Sequence, residues 1–142
     1  MIPNEGKLLW LNWALPAGAG TYESFYAKLY SNNYTPQPTD SAANYTECNF
    51  TGYARYFVGR STFNAPYLTG NVAASTSNTP PVFASTDPVG QTAYGWFLVG
   101  TSSGAVVAAQ QFANPRSMTA GATETLSPFT IQLATLGTNP PT

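Results

Sequence analysis

Side chains able to move a proton, attack a carbon or hold a metal are scarce in this chain of 142 residues. Histidine is missing altogether, which removes the commonest general base and the commonest metal ligand together. A serine nucleophile would then need a lysine or carboxylate base, and neither Lys7 nor Lys28 lies in a motif that sets a serine beside it. Glycoside hydrolysis needs two carboxyl groups across the scissile bond, one of them raised in pKa by burial. Glu23, Asp40, Glu47, Asp87 and Glu124 are the candidates. Asp40 and Asp87 stand near prolines and hydroxyl residues, where forming a turn is the expected role, while Glu47 and Glu124 stand in threonine-rich segments that suit an exposed position. The chain has no Asp-x-Asp-x-Asp-Gly loop for calcium, and its single cysteine, Cys48, excludes an intramolecular disulfide and a cysteine-based zinc site. With Glu47 beside it, Cys48 reads as a small, inert residue rather than a reactive thiolate. The glycines of 18–20 and 100–104 lack the lysine of a phosphate loop and open no periodic helix, so turns account for them. No catalytic residue, metal site or cofactor is expected.

Charge narrows the partners further. Charged residues make up 8% of the chain, against a usual share of about 25%, and the net charge is -1. Lys7, Lys28, Arg55, Arg60 and Arg116 are too few and too spread out for a nucleic-acid footprint. Threonine, serine and asparagine can solvate a surface without formal charge, yet a net charge near zero favours association. Nine tyrosines, eight phenylalanines and three tryptophans suit either stacking on sugars or the filling of a core and its subunit contacts, and the second use is expected here. The apolar run from Leu8 to Leu15 is broken by Asn12 and falls far short of the about 20 residues that span a bilayer. Met1 to Gly6 lacks the basic start of a signal peptide. Neither a membrane partner nor a secretion route is expected.

The elements that must position these residues read as strands. Phe25, Ala27 and Leu29 alternate with Tyr26, Lys28 and Tyr30, giving the period of two expected of a strand over 24–31. Residues 45–50 read as a short edge strand, 53–60 as a strand with neither face plainly polar, and 62–68, 71–75 and 82–84 as further short strands. Asp87-Pro88-Val89-Gly90 is a strong turn signal. Residues 93–99 and 105–112, joined by a glycine-bounded loop over 100–104, read as an antiparallel hairpin. Both runs are apolar on both faces, which suggests central strands, and Pro115 is expected to close the second. Residues 123–136 read as one final strand with Phe129, Ile131 and Leu133 on one face. Lys7 to Leu15 is undecided between helix and buried strand, with Trp10 and Trp13 beside Pro/Gly punctuation. Together these describe one all-β domain over 1–142, an antiparallel β-sandwich or jelly-roll-like fold of about seven to eight strands. Met1 to Gly6 reads as an extended N-terminal arm and Gly137 to Thr142 as a C-terminal tail.

Several stretches, taken together, resemble a group of small virion proteins of tailed bacteriophages. They are the opening Ile2-Pro3-Asn4-Glu5-Gly6 running into Leu8-Leu9-Trp10-Leu11, the run from Lys28 through Tyr30-Ser31-Asn32-Asn33-Tyr34-Thr35 to Pro36, Tyr45-Thr46-Glu47 with Phe50-Thr51-Gly52-Tyr53-Ala54, and Tyr94-Gly95-Trp96-Phe97 leading to Gln110-Gln111-Phe112. The likeness is strongest to capsid decoration, or cement, proteins, and it spans most of the chain without any catalytic signature. It implies a β-rich domain made in the host cytoplasm that binds the outer face of the capsid, contacts the major capsid protein and forms a trimer. It carries over no functional residue. An arm that grips the shell would draw on Ile2, Pro3, Leu8, Trp10 and Trp13, which is the interface expected here. A tail or neck component of the virion, or a carbohydrate-binding module exposed on it, remains the alternative.

Overall fold

A computed structural model describes residues 2–6, 23–65, 67–69, 72–127 and 130–133. Nine strands occur among them: β1 (Phe25–Tyr30), β2 (Tyr56–Val58), β3 (Tyr67–Thr69), β4 (Val72–Thr76), β5 (Val82–Ala84), β6 (Gln91–Gly100), β7 (Val106–Met118), β8 (Thr123–Thr125) and β9 (Thr130–Leu133). The only helical pieces among the described residues are single turns, at 4–6, Ala42–Asn44 and Arg60–Thr62. The fold is all-β and antiparallel. Its largest sheet has the order β2-β1-β6-β7, a second has β3-β4-β9, and β5 pairs with β8.

The hairpin expected from 93–99 and 105–112 forms as β6 and β7, and Gly104 closes its loop at a φ of 69° with its N–H bonded to the Gly100 carbonyl at 3.1 Å. That backbone conformation is the one a side chain disfavours. Two expectations change. Among the described strands β7 is an edge strand rather than a central one, and it runs past Pro115 to Met118. Ala93 pairs with Arg116 and Gly95 with Gln111, so residues 112–115 bulge out opposite Tyr94. Pro115 has no N–H to give to a ladder, and the bulge asks it for none.

Both hairpin strands are apolar on both faces because both faces of the large sheet are covered. On one side Phe25, Ala27, Leu29, Leu98 and Val107 pack under Cys48, Phe50, Phe83 and Leu126. On the other, Tyr30, Phe97, Val99, Val106 and Ala109 pack under Tyr45, which belongs to the irregular segment 31–47. That segment is a strap. Its expected edge strand over 45–50 reduces to one antiparallel bridge, Tyr30 with Glu47, flanked by bonds from the Ser31 N–H to the Thr46 carbonyl and from the Cys48 N–H to the Leu29 carbonyl. The strand expected over 53–60 shortens to β2. Residues 123–136, expected as one strand, divide into β8 on β5 and β9 on β4. Pro128 stands between the two in sequence and could not serve a continuous ladder.

Candidate functional site

All six carboxylates of the chain lie in described segments, and each fastens one piece of backbone or side chain to another. Glu5 Oε1 accepts the Val106 N–H at 2.6 Å. Glu23 Oε2 accepts the N–H groups of Ser102 and Ser103 at 2.5 and 2.9 Å. Asp40 accepts the Tyr34 hydroxyl at 2.6 Å, the Tyr45 hydroxyl at 2.7 Å and the Gln37 N–H at 2.7 Å, which pins the strap to itself. Glu47 takes the Lys28 ammonium at 2.8 Å and the Tyr53 hydroxyl at 3.1 Å. Asp87 takes the Val89 N–H, as the turn signal required, and the Thr51 N–H. Glu124 pairs with Arg116 at 3.3 Å. Glu47 and Glu124, expected to be exposed, have side chains that are 28% and 17% accessible, because a cation reaches each from a neighbouring strand or loop.

Three of the six carboxylates are held charged by the bonds they accept. Burial alone would raise the pKa of Glu23 and of Asp40, but the hydrogen bonds each accepts outweigh it and hold both below the ordinary carboxylate value. Asp87 is lowered too, chiefly by the backbone N–H groups of Gly90, Thr51 and Val89. Burial, reinforced by the neighbouring Glu47, pushes the Cys48 thiol up to about 12, which favours the protonated form at neutral pH. No group of three metal-ligating His, Cys, Asp or Glu side chains occurs among the described residues.

An open groove of about 600 Å³ runs along Glu47, Cys48, Asn49, Phe50, Tyr53, Ala54 and Arg55. It offers little to a sugar. Tyr53 lies parallel to Phe83 with ring centroids 5.9 Å apart, its hydroxyl is bonded to Glu47, and Glu47 is itself held by Lys28.

The sites of surface apolarity are elsewhere. Phe57 on β2 is 57% exposed, Leu68 on β3 is 77% exposed and Val89 in the Asp87 turn is 87% exposed, with Tyr67 and Val82 also open. Sequence reasoning did not single them out: in 53–60, which holds Phe57, neither face is plainly polar, and 62–68 and 82–84 read as short strands with no face assigned. Of the expected interface residues, Pro3 is buried and Ile2 half-buried. The N-terminal segment is not an extended arm over 2–6. It makes a helical turn, the Asn4 N–H bonds the Pro38 carbonyl at 2.7 Å, and Gly6 sits so close to β7 that a Cβ would fall 2.7 Å from the Val106 carbonyl. Leu8, Trp10 and Trp13, and the tail over 137–142, lie outside the described residues.

Segment 30–45 packs on the β6–β7 hairpin. Tyr45 stacks on Phe97 at 4.8 Å, Tyr30 packs on Tyr45 at 5.2 Å, and Gln111 bonds both Asn33 and Thr35. Gly95 leaves room for the Tyr30 ring, whose hydroxyl would stand 2.3 Å from a Cβ at that position. Compared with known families and curated proteins, the chain matches no family model and no curated sequence.

Proposed function

We propose that the chain is a non-enzymatic structural protein of a tailed-phage virion, a decoration protein that binds the outside of the capsid through the major capsid protein as a homotrimer, its sheets closed as a sandwich. The observation that carries this reading is a division of labour. The carboxylates are spent on internal fastening, while large apolar side chains at Phe57, Leu68 and Val89 are left in solvent on a chain with little charge to keep copies apart. Binding then works by added burial. Each copy covers part of a seam, and trimerisation makes the second and third contacts intramolecular, so weak patches gain avidity. Because Pro3 and Gly6 are buried in their own domain, the grip of an N-terminal arm falls to residues beyond Gly6.

The test is to mix the purified protein with undecorated phage heads after measuring its mass by light scattering. A trimer that sediments with heads and raises their melting temperature supports the proposal. A monomer that ignores heads overturns it, and quenching of its tryptophan fluorescence by polysaccharide would move the reading to a sugar-binding module.

A further inference from the structure

We propose that Glu23 is an acid-released latch on the tip of the β6–β7 hairpin. The residue just ahead of β1 is 5% exposed, yet its carboxylate reaches 79 positions along the chain to accept the Ser102 N–H and 80 to accept the Ser103 N–H, both at one oxygen. The neighbouring backbone adds a third tie, from the Thr101 N–H to the Ser24 carbonyl at 3.0 Å. The cradle is closely fitted. A Cβ on Gly100 would lie 2.5 Å from Glu23 Oε1 and 2.4 Å from Ser103 Oγ, so a glycine is what lets the carboxylate come under the loop. Residues 101–104 are otherwise exposed, and the bonds of their own turn run from Gly104 back to Gly100, from the Gly100 N–H to the Ala105 carbonyl, and from the Ala105 N–H to the Ser103 hydroxyl oxygen.

The chemistry of the latch follows from its donors. Two backbone N–H groups and the Ser103 hydroxyl point at one carboxylate, and all three favour its charged form. Among the described residues no charged side chain forms an ion pair with it. Two more carboxylates reach this hairpin, Glu5 on the Val106 N–H just beyond the loop and Glu124 on Arg116 at the far end of β7. A proton on Glu23 therefore removes the charge that holds the tip, and no ion pair among the described residues takes its place. Burial opposes the charge, but the hydrogen bonds outweigh it and keep the carboxyl below its ordinary value. The latch is closed at neutral pH and opens as pH falls through that lowered value, below the ordinary glutamate pKa of about 4.3.

The experiment follows the amide resonances of Ser102 and Ser103 and the side-chain carboxyl carbon of Glu23 by NMR, in the full chain, from pH 7 downward. The expected result is that both amides shift together with the carboxyl carbon at one midpoint below about 4.3. In Glu23→Gln at neutral pH, their protection against hydrogen exchange should fall roughly tenfold or more, as loss of bonds to a charged group implies, while Phe97 and Leu98 keep theirs. Amides that do not move at the carboxyl midpoint, or a variant as protected as the native chain, would overturn the latch. Should Glu23→Gln fail to fold, the native titration decides alone, supported by Ser103→Ala, which should move the midpoint upward by removing one donor.

Discussion

The two faces of the β2-β1-β6-β7 sheet are covered in opposite ways. One is closed by aliphatic and aromatic side chains, with Phe25, Leu29, Leu98 and Val107 buried under Phe50 and Phe83. The other is closed by Tyr34 and Tyr45 of the strap over Tyr30 of β1, and their hydroxyls must find partners once they leave water. Tyr34 and Tyr45 find Asp40, and Tyr30 finds the Tyr34 carbonyl at 3.0 Å. The comparison teaches that an irregular segment can cover a sheet as firmly as a strand can, provided one buried carboxylate collects its polar groups. It also divides the ways in which the molecule fails, since the first face responds to cavities and the second to protons.

The largest effect should come from the apolar face. Phe25→Ala removes a ring that is 1% exposed and meets Phe63 edge-on at 6.1 Å, and it should cost about 3–5 kcal/mol in urea unfolding. A cost below about 1 kcal/mol would mean that this core is loosely packed. On the tyrosine face, Asp40→Ala strands two hydroxyls and the Gln37 N–H and should cost about 2–3 kcal/mol, with the loss concentrated in hydrogen-exchange protection over 31–47. A uniform loss of protection across both faces would contradict the division. The same face should weaken in alkali. Burial and the neighbouring Asp40 push Tyr30 up to about 12, and Tyr45 is raised by the same causes. Raised tyrosines contribute fully below the ordinary value of about 10, and their contribution is lost as pH climbs through the folded values. The smallest effect belongs to the ion pair at the sheet edge. Lys28→Met removes a partly accessible contact to Glu47 and should change stability by no more than about 1 kcal/mol.

Where the sequence spoke plainly, a local pattern carried the message. Alternation gave β1, two apolar runs around a glycine-bounded loop gave the β6–β7 hairpin, and Asp87-Pro88-Val89-Gly90 gave a turn in which Gly90 has a φ of 78°. What stayed hidden was long-range. Nothing near Glu23 announces Ser102, and nothing near Glu5 announces Val106, because each carboxylate meets its partner through the folded sheet. The extent of β7 was hidden for another reason, since Pro115 is a stop signal in a regular ladder but not in a bulge. The fastening role of the acids could be suspected from scarcity alone, with six carboxylates in 142 residues, but not their partners.

The central claim, that Glu23, Asp40 and Asp87 are held charged by the hydrogen bonds they accept in the fold, is tested most directly by the free energy of unfolding as a function of pH. Glu23, Asp40 and Asp87 are all lowered in the folded chain, so each contributes fully above the ordinary carboxylate range and loses that contribution as pH falls through its folded value. The account predicts a stability that is flat near neutrality, declines below about pH 5, and declines less steeply in a chain carrying both Glu23→Gln and Asp40→Asn. A stability that stayed level into acid, or rose there, would show that these carboxyls are not held charged by the fold and would contradict the account.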